Sequence, residues 1–212
     1  MKTFSTFRSL GLVASLAVLS AGSALAQDYR ITVDKPSVQA IQSPDISTNV
    51  SKKFSPKDWI ELEAQVKVEA KPEPKSGYID SMDVSWYVLV PNPEQSKQLF
   101  KITRTIKHVN VPVDEEVYVS AYLSPAVVRR LTGSDNVSST ALKSVGVEVL
   151  INGRATKDSM NTSEKMGGRV DWWNVSSASV AETTSYKLMA KNETPYATLW
   201  WDRYVEVDPE QR

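Results

Sequence analysis

The side chains that could carry out catalysis are few in this sequence. Its 212 residues contain no cysteine and a single histidine, His108. A Ser-His-Asp site would have to use His108, yet no serine lies in the Gly-x-Ser-x-Gly turn that exposes such a nucleophile. His108 falls in the strand-like stretch TIKHV, where a lone histidine is usually solvent-facing or held by hydrogen bonds. The inventory therefore argues against a serine or cysteine hydrolase.

Metal and cofactor sites lack their usual residues too. Zinc needs several histidine or cysteine ligands, and the calcium-loop, phosphate-loop and dinucleotide patterns are absent. The run Asp114–Glu116 could hold a hard cation, but acids that open a strand are usually solvated or protect a sheet edge. Two carboxylates could hydrolyse a glycoside, yet no pair stands out among the 25 acidic residues. We expect no metal, no cofactor and no enzymatic activity.

The first 26 residues are typical of a signal peptide. Basic residues precede the apolar run Leu10–Leu19, and Ala24 and Ala26 give the small-x-small cleavage pattern before Gln27. The apolar run is too short to span the ~30 Å core of a membrane. We therefore expect export without stable membrane insertion, to the periplasm, the outer membrane or the medium.

Cleavage would remove two basic residues and leave 23 basic against 25 acidic side chains, a net charge near −2. This balance excludes a strongly basic nucleic-acid-binding protein. Secreted animal domains usually carry disulfides, so the missing cysteine favours a bacterial exporter.

Most of the remaining chain shows the two-residue alternation of strands. In Trp59–Ala70 apolar and polar residues alternate strictly, which predicts a half-buried antiparallel strand. Met82–Val90 places Trp86 at the centre of an inward face, and Leu99–Val109 and Val113–Leu123 alternate as well. Turn residues at short intervals separate these runs, as in a β-sandwich or barrel. We expect residues 27–212 to form a single domain.

Three local signals refine this outline. Ser124 as N-cap, Pro125 in the first turn and Gly133 as the stop predict one short helix. Asn152-Gly153 predicts a tight hairpin, because both residues tolerate positive φ. Residues 27–54 read as an extended lead-in, apart from a strand near Tyr29–Val33.

The stretch TPYATLWWDRYVEV, residues 194–207, is rich in aromatic residues. Read as a closing strand, it places Tyr196, Trp200, Asp202 and Tyr204 on an outward face, with Trp201 on the core face. Such a row suits a protein interface or stacking on sugars. The alternative is that another element covers the row and makes a second small core.

Trp172 and Trp173 pose the same question on a short predicted strand. We expect one of them to face inward and the other outward or beneath another element. Trp172 therefore joins the candidate partner contacts.

The motif TPYA…WDRY, together with the signal peptide and the AYLSP helix entry, resembles a family of small secreted proteins. These are encoded in type IV pilus-like gene clusters of Akkermansia-type bacteria. The resemblance implies an all-β fold with one short helix, an immunoglobulin-like antiparallel β-sandwich, and a role in the cell envelope. The polar, proline-containing residues after Gln27 lack the long apolar helix of a pilin, so they indicate an accessory protein.

Together these features predict an exported, non-enzymatic binding or scaffold protein of the cell envelope with a protein partner, accessory to a type IV pilus-like system. The alternative is a carbohydrate-binding module in which Trp200 and Tyr204 stack on a glycan.

Overall fold

The computed structural model describes residues 27–45, 55–134 and 141–211. The predicted signal peptide lies outside these ranges. The described strands and helix are, in chain order, β1 (Asp28–Val33), β2 (Ser37–Gln42), β3 (Asp58–Lys71), β4 (Tyr78–Pro91), β5 (Leu99–Pro112), β6 (Glu116–Leu123), α1 (Pro125–Thr132), β7 (Ser144–Leu150), β8 (Met160–Thr162), β9 (Val180–Glu182), β10 (Leu188–Ala190) and β11 (Glu206–Val207).

The strands form two sheets. In the first, β3 pairs with both β1 and β2 on one side and with β6 on the other, and β10 pairs with β6. In the second, the order is β11-β5-β4-β7-β8, with β9 parallel to β5. One apolar core holds residues of both sheets. This arrangement confirms the predicted all-β, immunoglobulin-like sandwich.

The alternating runs form the strands that they predict. The alternating apolar residues of β3 from Ile60 to Ala70 are buried, and Trp86 is fully buried on β4. Tyr29–Val33 falls within β1, but the lead-in contains a second strand, β2, that the sequence does not predict. Polar and apolar residues alternate poorly in β2, and it forms a strand because it pairs with residues 58–63 of β3.

The helix and the hairpin also match their signals. Ser124 Oγ accepts a hydrogen bond from the backbone N–H of Val127, and Gly133 ends α1 with φ of 75°. Asn152 and Gly153 have φ of 52° and 71°. Ile151 and Arg154 exchange two backbone hydrogen bonds across this turn, of 3.0 and 3.1 Å.

The predicted closing strand is wrong for residues 194–204. A short 3-10 helix at Lys191–Glu193 precedes them, they form a series of turns with a second 3-10 helix at Trp201–Arg203, and only Glu206–Val207 joins a sheet. Local bonds replace a strand ladder: the N–H groups of Ala197 and Leu199 donate to the carbonyls three residues earlier. Pro195 has no N–H to give a ladder.

The strand predicted at Trp172 and Trp173 is wrong as well. Trp172–Asn174 is a 3-10 turn, and both indoles are buried.

Candidate protein-contact surface

The chain from Lys191 to Tyr204 covers part of the outer face of the first sheet, around Glu61, Glu63 and Tyr122. The register places Glu61 opposite Tyr122 and Glu63 opposite Ser120, on the side of the sheet away from the core because Ile60 and Leu62 point inward. Glu61 and Tyr122 are buried although they lie on this outer face. The covering segment therefore makes a second small core, which is the alternative that the sequence leaves open.

Tyr196 is the anchor of this second core. Its ring stacks on Tyr122 at 5.4 Å between centroids and on Trp200 at 6.3 Å, and Trp59 meets it edge-on. The hydroxyl donates to the carbonyl of Gln42 in β2 at 2.9 Å. Tyr196 is 1% exposed, so the prediction that it faces outward is wrong: it holds the segment in place and supports the ring of Trp200.

Two carboxylates of β3, Glu61 and Glu63, lie within hydrogen-bonding distance of Tyr204 at the other end of the segment. Tyr122 donates its hydroxyl hydrogen to Glu61 at 2.7 Å, and Tyr204 donates to Glu63 at 2.5 Å. Arg203 binds both oxygens of Glu63 at 2.7 and 3.2 Å. Burial raises the pKa of Glu61, the nearby charge of Glu63 raises it further, and the bond from Tyr122 opposes both.

A buried lysine lies beneath the same segment. Lys191 Nζ donates to the carbonyl of Ala197 at 3.3 Å and lies 5.2 Å from the centre of the Tyr204 ring. Burial lowers the pKa of Lys191, and the charge of Glu61 partly offsets this. Tyr204 thus packs against a cation and is held by its hydroxyl group, so its role is to stabilise the covering segment.

Trp200 and Trp201 are both exposed, at 54% and 61%. Adjacent side chains of a strand point to opposite faces. Both indoles can therefore face solvent here only because the chain forms a turn. Trp200 has φ of 51° and ψ of 42°, the left-handed region that bulky residues rarely adopt. Backbone strain of this kind is concentrated at functional sites. Trp201 is not among the contacts predicted from the sequence, because the register of a strand places it on the core face.

Open grooves flank the two indoles. One, of about 410 Å³, lies between Trp200 and the residues Gln39 and Ile41 of β2. The other, of about 220 Å³, lies between Trp201 and Tyr78, which is 52% exposed. Trp200, Trp201 and Tyr78 are the exposed aromatic residues that line these two grooves, and together they are here named the tryptophan surface.

The charged residues of the groove that Trp201 shares with Tyr78 are mainly acidic, while the buried Lys191 lies 6.0 Å from the centre of the Trp201 ring. Glu115, Asp202 and Glu206 line the groove that Trp201 shares with Tyr78, and all three are exposed. Arg203 also lines it, but its guanidinium is bound to Glu63. Asp202 is therefore where the sequence places it, beside the exposed aromatic residues.

Trp172 lies elsewhere, on the outer face of the second sheet. Its Nε1–H donates to Thr162 Oγ1 at 3.0 Å, and its ring meets Trp173 edge-on at 5.5 Å. It is buried and belongs to a different cluster from Tyr196, so the structure does not bring it to the tryptophan surface.

His108 is buried on the inward face of β5. Its Nδ1 lies 3.2 Å from the carbonyl oxygen of Val205, and Nε2 has no hydrogen-bond partner among the described residues. Burial lowers the pKa of His108 to about 4, so the ring is neutral at pH 7. Over residues 27–45, 55–134 and 141–211, no group of three or more His, Asp or Glu side chains is placed to hold a metal ion.

A protein-family model matches residues 22–211 of the chain. The fold is similar to a crystal structure of a protein from Akkermansia muciniphila, with a TM-score of 0.81 and 39% sequence identity. The match covers 86% of this chain and 95% of that one. A comparison with curated proteins finds no match.

The fold and these matches define the class of protein: an immunoglobulin-like sandwich similar to that of the Akkermansia muciniphila protein. The chain belongs to the family whose model spans residues 22–211, and the resemblance to the pilus-cluster proteins of Akkermansia-type bacteria is confirmed. Within the described residues, no helix has the length and apolar character that a membrane crossing requires.

Proposed function

We propose that this protein is an exported, non-enzymatic scaffold or binding protein of the cell envelope, accessory to a type IV pilus-like system. In this proposal it contacts a protein partner through the tryptophan surface. The observation that carries the proposal is the pair of adjacent indoles, Trp200 and Trp201, which are exposed on a segment that the buried Tyr196 anchors.

The rigidity of the surface supports a role in binding. Trp200 is the outermost ring of a stack that continues through Tyr196 to the buried Tyr122, and Arg203 ties the following residues to β3 through Glu63. A rigid aromatic anchor loses little conformational entropy when it binds. Tryptophan is also among the residues that contribute most to protein interfaces.

The charges around Trp201 indicate the chemistry of the partner. Glu115, Asp202 and Glu206 are exposed and acidic, so a segment that carries lysine or arginine would complement them. We therefore propose a partner face that combines apolar and basic side chains.

Site-specific photo-crosslinking tests the contact. The tagged full-length protein is expressed in the bacterium that encodes it, with p-benzoylphenylalanine at position 201 or, as control, at Thr103, an exposed residue of β5. Mass spectrometry then identifies the products. We expect a pilus-cluster or envelope protein to crosslink at position 201 and not at position 103.

Two outcomes would contradict the proposal. One is that both positions give the same products or none. The other is that the purified protein binds glycans on an array and Trp200→Ala abolishes this binding, as the carbohydrate-binding alternative requires. The export part has its own test: the mature protein should begin at Gln27, and an intact Met1 in envelope fractions would contradict cleavage.

A further inference from the structure

We propose that the protein has a second binding site, for a small apolar carboxylic acid, in a cleft on the outer face of the second sheet. The cleft has a volume of about 550 Å³, within the range typical of small-molecule sites. Its walls are mostly apolar and include Leu89, Leu99, Trp172, Trp173 and Val180. Its lining shares no residue with the grooves of the tryptophan surface, so it does not depend on the function proposed above.

The sequence builds rigid walls for this cleft. Trp173 stacks on Tyr87 at 4.6 Å with an interplanar angle of 6°. Opposite Tyr87 on β7 lies Gly146, where a Cβ atom would stand 2.2 Å from Trp173 Cζ3. Glycine is therefore required for the indole to lie against the sheet, and the bond from Trp172 to Thr162 fixes the second indole.

Two cations line the cleft: Arg169, which is bound to Asp171, and Lys101, which has a donor to spare. Lys101 Nζ donates to Glu182 Oε1 at 2.9 Å and to the carbonyl of Trp173 at 3.1 Å. An ammonium group has three N–H donors, so one remains for a ligand. The side chain of Lys101 is mostly buried, and that of Glu182 is 81% exposed, so Glu182 can exchange its bond for one to water.

A ligand with an apolar body and a carboxylate matches this lining, because the body fills the space between the indoles and leucines while a carboxylate oxygen accepts from Lys101 Nζ.

The probe for this site is 8-anilinonaphthalene-1-sulfonate, an apolar aromatic anion whose fluorescence rises on binding, with 2-naphthoate as the competing carboxylate. Lys101→Met removes the cation and should weaken binding of the probe at least about tenfold. Glu182→Gln removes the competing carboxylate and should strengthen binding. The two changes act in opposite directions although they break the same ion pair, so loss of stability alone cannot reproduce the pattern.

Matched variants locate the binding. Lys107→Met removes another ion-paired lysine of β5, bound to Asp208, and should leave the affinity unchanged. The double variant Trp200→Ala, Trp201→Ala should also leave it unchanged, since it alters only the tryptophan surface. We expect 2-naphthoate to displace the probe and the uncharged 2-naphthalenemethanol to do so much less well.

Three results would overturn the proposal. The first is probe binding that Lys101→Met and Glu182→Gln change in the same direction or not at all. The second is probe binding that the double tryptophan variant abolishes. The third is a dimer in analytical ultracentrifugation that binds no probe, since the cleft would then be a contact between two copies of the chain.

Discussion

Arg203 binds Glu63 through two hydrogen bonds while its guanidinium carbon lies 3.5 Å from the centre of the Tyr118 ring. One side chain of the terminal segment thus contacts β3 through charge and β6 through an aromatic face. Arg203 and Glu63 lie 140 positions apart in the chain. Their bond holds the turn that presents Trp200 and Trp201.

Arg203→Lys should lower the free energy of unfolding by about 1 kcal/mol. Lysine keeps the charge but loses the two-pronged bond to Glu63 and the planar contact with Tyr118. Urea denaturation measures the change. Arg30→Lys is the matched control, because Arg30 pairs with Glu69 at 3.8 Å and both side chains are more exposed. Equal effects of the two substitutions would show that the geometry at Arg203 adds nothing.

Trp200→Gly should leave the protein about 1 kcal/mol more stable than Trp200→Ala. Both variants lack the indole, but only glycine adopts φ of 51° without a steric penalty. Thermal and chemical denaturation of the two variants give the difference. If alanine proved as stable as glycine, the left-handed backbone at position 200 would not be the conformation in solution.

Acid should destabilise the protein through His108. The pKa of this ring is about 4 in the folded state against 6.5 for a free histidine, so unfolding takes up a proton at any pH between these values. Stability therefore falls as the pH drops from 6.5 to 4, by on the order of 3 kcal/mol.

His108→Gln should remove this contribution while keeping an N–H donor for Val205. The relevant quantity is the difference in unfolding free energy between the two proteins across that pH range, because the carboxylates titrate alike in both. Identical pH profiles would mean that folding does not lower the pKa of His108.

Gly146→Ala should destabilise the protein by about 1–3 kcal/mol. The new methyl group would occupy the place of the Trp173 ring and break its stack on Tyr87. Near-ultraviolet circular dichroism should report the displaced indole. With Trp173→Leu in the background the same change should cost little, so the two substitutions are non-additive. Additive effects would place the clash elsewhere.

The parts of the fold that follow from the sequence are those governed by neighbours in the chain. Strict alternation predicts the inward face of β3, because each residue's face depends only on its position in the strand. Ser124 and Gly133 specify the two ends of α1 through bonds within a few residues. Asn152-Gly153 specifies its turn in the same way.

The candidate site depends instead on distant contacts and could be predicted only in part. The sequence marks Trp200 and Asp202 as candidate contacts, and both are exposed. Tyr196 is buried because Trp59 and Tyr122, far away in the chain, surround it. Alternation cannot reveal such partners. Pro195 and the turn-forming residues before it are the local signal that this segment is not a strand. Without a strand register, nothing in the sequence assigns Trp201 to the core.

Val205 has a consequence for the mechanics of the whole sandwich. Its N–H donates to Tyr118 of β6 at 3.1 Å, and its carbonyl lies 3.2 Å from His108 of β5. A single residue is thus bonded to both layers, and β11 follows it directly. Sliding one sheet past the other at this edge would break both bonds together. We therefore expect the two sheets to separate here in one step and not by gradual fraying.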